Sequence, residues 1–183
     1  MPPTEYILTT DPRLQARVRA RFAREIEALR GFGFRPLCTY LEQLEAFSAL
    51  LRLPMLALIL SHREVVVFPT PLRIAAAFAL MHQPEPPTLA TPMGMGVKLY
   101  TGFTDETLLI SSSFQSYAVP RSGGRIEKLS SPGDLSETWR RHAYRVREIV
   151  ANGKVPLAHA SFDAYVEISR REEDPSQYVS PVG

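Results

Sequence analysis

The sequence predicts an α+β fold: a mostly antiparallel sheet with helices packed on one face, in a single domain. Three observations carry this. Two long segments repeat apolar residues at helical spacing. Several short runs rich in β-forming residues lie between them. Neighbouring runs sit close enough along the chain to pair as hairpins, which favours antiparallel strands over crossover units. At 183 residues, with 45% hydrophobic and 22% charged side chains, the chain can bury a core of its own.

The elements follow in order. Tyr6–Leu8 is a short opening strand. The next segment, to Gly33, reads as one helix. Asp11 or Thr10 caps it, Pro12 stands in the first turn, and Leu14, Val18, Phe22, Ile26 and Leu29 form one stripe. "FRPLCTY" is a strand, and "LEQLEAFSALLRL" returns to helical spacing. "MLALILS" and "EVVVF" are apolar on both faces and read as buried strands joined through Ser61-His62-Arg63. "TPLRIAAAFALMHQ" fits a buried helix, with a strand as the competing assignment. The proline-rich stretch 84–92 reads as an exposed loop.

The stretch "TGFTDETLLISSSFQSYAVP" reads as a hairpin turning at Asp105-Glu106. That turn pairs Phe103 with Leu108 and Thr101 with Ile110, and leaves Tyr100, Ser111 and Ser113 together on the polar face. A short strand follows at Arg125–Leu129. The helix after Asp134 has Glu137 at capping-box spacing and ends at Gly153. A last short helix starts behind Ser161, and 174–183 reads as a flexible tail.

Candidate functional residues are few. His142 falls into the apolar stripe Leu135, Trp139, Val146, Ile149 and Val150. A histidine there is either a hydrogen-bonded core residue or the base of a pocket. The candidate ligand-binding set is His142, Trp139, Tyr100, Ser111 and Ser113. No residue is assigned as catalytic: the serines lack a G-x-S-x-G elbow or an S-x-x-K pattern. Cofactors and metals are not expected, since no H-E-x-x-H, C-x-x-C or third phosphate-loop glycine is present.

Net charge is +2, and all but three of the 21 basic residues are arginine. That bias fits a GC-rich bacterial genome or heat adaptation as well as any function. The Arg13–Arg30 helix face reads first as a solvated face and second as a surface for an anionic partner; nucleic acid ranks last, because the face carries no interleaved aromatics. No signal peptide or membrane span is read from the sequence, and the expected setting is the cytoplasm. A single cysteine, Cys38, rules out an intrachain disulfide.

The expected function is a non-enzymatic ligand-binding or protein-interaction module, with a small molecule or a protein as partner and a homodimer as the default assembly. The first alternative is a hydrolase-like enzyme with His142 as general base. The second is a peripheral binder of anionic surfaces through Arg13–Arg30.

Overall fold

The computed structural model describes residues 4–45, 65–69, 72–114, 125–158 and 161–173. Strand β1 (Glu5–Leu8) leads into a helical segment in two pieces, α1 (Pro12–Arg21) and α2 (Ala23–Gly31). The Asp11 carboxylate accepts from the Arg13 amide at 2.9 Å and Pro12 occupies the first turn, as the spacing predicts. The stripe Leu14, Val18, Phe22, Ile26 and Leu29 is buried. The expected single helix is broken at Phe22, whose backbone lies at φ −100° and ψ 22°. The 4-residue hydrogen bonds still run into and out of that residue, so the axis is hitched rather than ended.

The sheet follows: β2 (Arg35–Glu45), β3 (Val65–Pro69), β4 (Leu72–Pro84), β5 (Pro87–Pro92), β6 (Val97–Gly102), β7 (Leu108–Ser112) and β8 (Ile126–Ser130). Its order is β1-β2-β4-β5-β6-β7-β8, with β3 on β4. Every pairing is antiparallel except β7 with β8. The α+β class, the mostly antiparallel sheet and the single domain therefore stand. Helices α3 (Leu135–Ala151) and α4 (Phe162–Glu173) close the described chain.

Three expected elements are corrected. Residues 72–84 form strand β4, not a helix. The run Ala75–Met81 is buried on both faces, between β2 on one edge and β3 and β5 on the other. That position rewards a continuous apolar run and overrides the helical preference of alanine. The helix expected from Leu41 gives way to β2, which continues to Glu45 opposite Arg73. The stretch 84–92 is not an exposed loop. It contains β5, whose residues Thr88–Pro92 are all buried, with prolines confined to the ends of the strand. The 46–53 part of the expected helix, "MLALILS", the Ser61–Arg63 turn and the 174–183 tail lie outside the described residues.

The expected one-sided helix layer is refined by the alternation of side chains along β6 and β7. Thr101 and Ser111 meet His142 of α3. Lys98 and Tyr100, their neighbours on the opposite face, meet Glu172 and Tyr165 of α4. The same split appears on β8, where Glu127 pairs with Arg145 of α3 and Lys128 with Glu172 of α4.

The hairpin register differs from the expected one by a single residue. Observed pairs are Gly102 with Leu108, Thr101 with Leu109, Tyr100 with Ile110 and Leu99 with Ser111. The loop is Thr104-Asp105-Glu106, three residues rather than two, with Glu106 at φ +68°. This is the three-residue hairpin in which a residue in the left-handed region closes the turn. The extra residue moves Ser111 and Ser113 onto the face of Thr101 and away from Tyr100.

Candidate functional site

His142 is held in α3 by two features. Asp134 caps the helix, accepting from the Glu137 amide at 3.1 Å, and the Val146–Ile149 stripe seats it on Phe103 and Leu109. Glu137 does not complete a capping box; its carboxylate accepts from Arg140 Nε at 2.9 Å. The imidazole Nε2 lies 2.9 Å from Thr101 Oγ1, and Nδ1 lies 2.8 Å from Ser111 Oγ. Thr101 Oγ1 is also 3.0 Å from the Pro87 carbonyl, which can only accept. The Thr101 proton goes there, so Thr101 accepts from Nε2–H, and Nδ1 accepts the Ser111 hydroxyl proton. Thr88 Oγ1 lies 3.1 Å from Thr101 Oγ1 and 3.0 Å from the Pro86 carbonyl, and its single proton serves one of the two.

Every polar atom of the imidazole is thus satisfied in the neutral form. Burial alone pushes its pKa down to about 3. Trp139 stacks on the ring at 6.2 Å and is itself met edge-on by Phe34 at 5.0 Å. Exposure is 0% for His142 and Thr101 and 1% for Ser111. The arrangement resembles a serine–histidine pair in contacts only. It has no opening to solvent, and both ring nitrogens are committed to ground-state hydrogen bonds.

The other candidates fall elsewhere. Ser113 Oγ accepts from the Val97 amide at 2.8 Å and packs against Gly96. Tyr100 is on the opposite face, in a cluster around Tyr165. There the Tyr40 and Tyr165 hydroxyls are 2.6 Å apart, and Tyr165 donates to Glu42 at 3.1 Å. Burial first, and then neighbouring acidic groups, push these phenols well above their ordinary range. Beside them Glu172 accepts from Lys98 at 2.8 Å and Lys128 at 3.2 Å. Burial alone would raise the Glu172 carboxyl, but the two ammoniums outweigh it and hold it below the usual value. This cluster bolts α4 to β6 and β8. Among the described residues, no three His, Cys, Asp or Glu side chains are grouped to hold a metal ion.

Open concave space lies away from the expected set. A cleft of about 240 Å³ runs between the α1–α2 segment and strands β2 and β4. Gln15, Arg19 and Arg30 stand on its helical side; Leu37, Cys38 and Met81 are among those lining the sheet side. Burial pushes the thiol of the half-buried Cys38 up to about 11. A wider depression of about 400 Å³ lies over Leu129 and Tyr144, but its arginines are engaged. Arg145 bonds Glu127 and Glu148, Arg140 bonds Glu137, and Arg141 bonds Ser131 Oγ at 3.0 Å. The cleft residues come from four elements between positions 15 and 81, and only the arginines carried a signal in the sequence, as part of the basic helix face.

No helix of the described residues is long and apolar enough to cross a membrane. Compared with known proteins, the chain matches no family model, no curated protein and no solved structure.

Proposed function

We propose that this chain is a non-enzymatic ligand-binding module and that the α1–α2 cleft is its binding place. The observation that carries the reading is the cleft itself. It joins a largely apolar wall to a few polar groups at the mouth, the combination that small-molecule sites share. Its volume of about 240 Å³ lies just below the usual pocket range, so the occupant is small. The hydrolase reading draws no support from the geometry, because a general base must reach a substrate proton and His142 is 0% exposed.

The test is a thermal-shift screen of the purified protein against small metabolite classes, with alkylation of Cys38 as the position-sensitive readout. Cys38 is the chain's only cysteine and lines the cleft. A ligand that raises Tm and slows Cys38 alkylation supports the reading, since binding to the native state alone stabilises by RT ln(1 + [L]/Kd). A ligand that raises Tm with the alkylation rate unchanged places the site elsewhere.

A further inference from the structure

Resting on that reading, we infer that the cleft takes a small amphiphilic anion, with its carboxylate or phosphate at Arg19 and Arg30 and its apolar end on the sheet wall. Both guanidiniums have charge to offer. Arg19 is bonded to a neutral group, the Gln15 amide oxygen, at 3.2 Å. Arg30 meets Glu27 at 3.4 Å with the two side chains 52% and 75% exposed, an exchangeable surface contact. The formal charge around the mouth is net positive. Helix α2 sets Glu25 and Glu27 against Arg24 and Arg30. Helix α1, Pro12–Arg21, carries Arg13, Arg17, Arg19 and Arg21 and no carboxylate. An anion arriving there is drawn in, and a cation is repelled.

The far wall asks for the opposite chemistry. Pro36, Leu37, Ala79, Leu80 and Met81 give it no charge, Thr39 is its hydroxyl, and Ile26 adds an apolar side chain from the helical side. At roughly 30 Å³ per liquid water the space equals about eight waters, which suits a ligand of on the order of ten non-hydrogen atoms. A fully polar anion leaves the wall uncovered, and a neutral apolar molecule leaves the guanidiniums unused. An amphiphilic anion meets both demands.

The experiment uses octanoate, 1-octanol and octylamine below their aggregation limits. Affinity is measured by calorimetry and position by protection of Cys38 from alkylation. The expected order is octanoate tightest and octylamine weakest, with octanoate protecting Cys38. Arg19→Gln with Arg30→Gln should weaken octanoate by about tenfold or more and leave octanol unchanged, because charge-assisted hydrogen bonds are lost only to the anion. Both positions are exposed helix sites, and an unchanged Tm without ligand verifies that the variant folds. Equal affinity for octanol and octanoate, or an octanoate affinity indifferent to the double substitution, overturns the inference while the ligand-binding reading survives. Absence of Cys38 protection by all three molecules also overturns the inference, and the metabolite screen with Cys38 alkylation then decides the ligand-binding reading.

Discussion

The buried His142 makes a sharp statement about acid. In the folded chain its imidazole is neutral, with Nε2–H donated to Thr101 and Nδ1 accepting from Ser111, and its pKa is pushed down to about 3. In the unfolded chain the ring titrates near 6.5. Above that value both states are neutral and the group contributes nothing to the pH dependence. As pH falls below 6.5 the unfolded chain takes up a proton that the folded chain refuses, so stability falls with pH until about 3. One pKa unit corresponds to about 1.4 kcal/mol, so the loss is about 2.7 kcal/mol at pH 4.5. That is a sizeable share of the 5–15 kcal/mol typical of a domain. Urea unfolding of the wild type and of His142→Gln, in steps from pH 7.5 to 4.5, isolates the term, because carboxylates and His82 are common to both. The wild-type curve should descend more steeply by up to about 1.4 kcal/mol per pH unit. Parallel curves below pH 6, or a His142 ring resonance titrating near 6.5 in the folded protein, would refute the sealed neutral network.

Two further outcomes test the packing around the sheet. Glu172→Gln removes the carboxylate shared by Lys98 and Lys128 at a site less than a quarter exposed, and should cost about 2 kcal/mol in urea unfolding at pH 7. Because the folded Glu172 carboxyl is held below 4.5, that stabilisation is present above 4.5 and is lost as pH falls, so the variant should approach the wild type in acid. Gly33→Ala places a Cβ about 2.7 Å from Gln83 Nε2 on a backbone at φ +88°, and Gln83 is already committed to the Phe32 carbonyl. A loss of about 1–2 kcal/mol is expected in thermal unfolding; an unchanged Tm contradicts it.

How much of this was legible in the sequence depends on how local the deciding physics is. The helices were readable because caps and stripes lie within one element: Asp11 with Pro12, Asp134 with Glu137, and His142 in register with Trp139 and Val146. Strand β4 was not, because "IAAAFA" looks the same in a buried helix and a buried strand, and only its two-sided neighbours decide. The strand within 84–92 was hidden for a related reason. Its prolines read as loop, yet they sit at strand ends where a missing N–H is tolerated. Of the five candidate residues, the structure joins His142, Trp139 and Ser111 and separates Ser113 and Tyr100. Thr101, the second partner of His142, shares a face with Ser111 only in the observed register; a two-residue turn puts Thr101 with Ser112 and opposite Ser111. The cleft shows in the sequence only through Arg19 and Arg30 of the basic helix face, since it is assembled from residues up to 66 positions apart, Gln15 to Met81.

That single-residue slip has a local cause which can itself be tested. A two-residue type I′ turn at Asp105-Glu106 would need two consecutive residues at positive φ; aspartate tolerates that region, but the pair has no glycine to make it easy. The chain instead uses Thr104-Asp105-Glu106, where only Glu106 enters the left-handed region, at φ +68°. The Asp105 carboxylate stabilises this loop by accepting from the Thr107 amide at 3.1 Å and from Lys154 at 2.8 Å. Its pKa is drawn down to about 2, chiefly by Lys154. Glu106 holds its strained backbone in exchange for an exposed ion pair with Arg125, and exposed pairs of this kind stabilise by about 0–1 kcal/mol at most. A glycine has no such backbone penalty, which is about 1 kcal/mol for an L-residue. Glu106→Gly should therefore leave stability unchanged or raise it by up to about 1 kcal/mol, with the His142 network intact. At high salt, where the ion pair is screened, the gain should grow. A loss of more than about 1 kcal/mol at high salt would mean that Glu106 is not in the left-handed region. The three-residue loop, and with it the face assignment that brings Ser111 to His142, would then have to be abandoned.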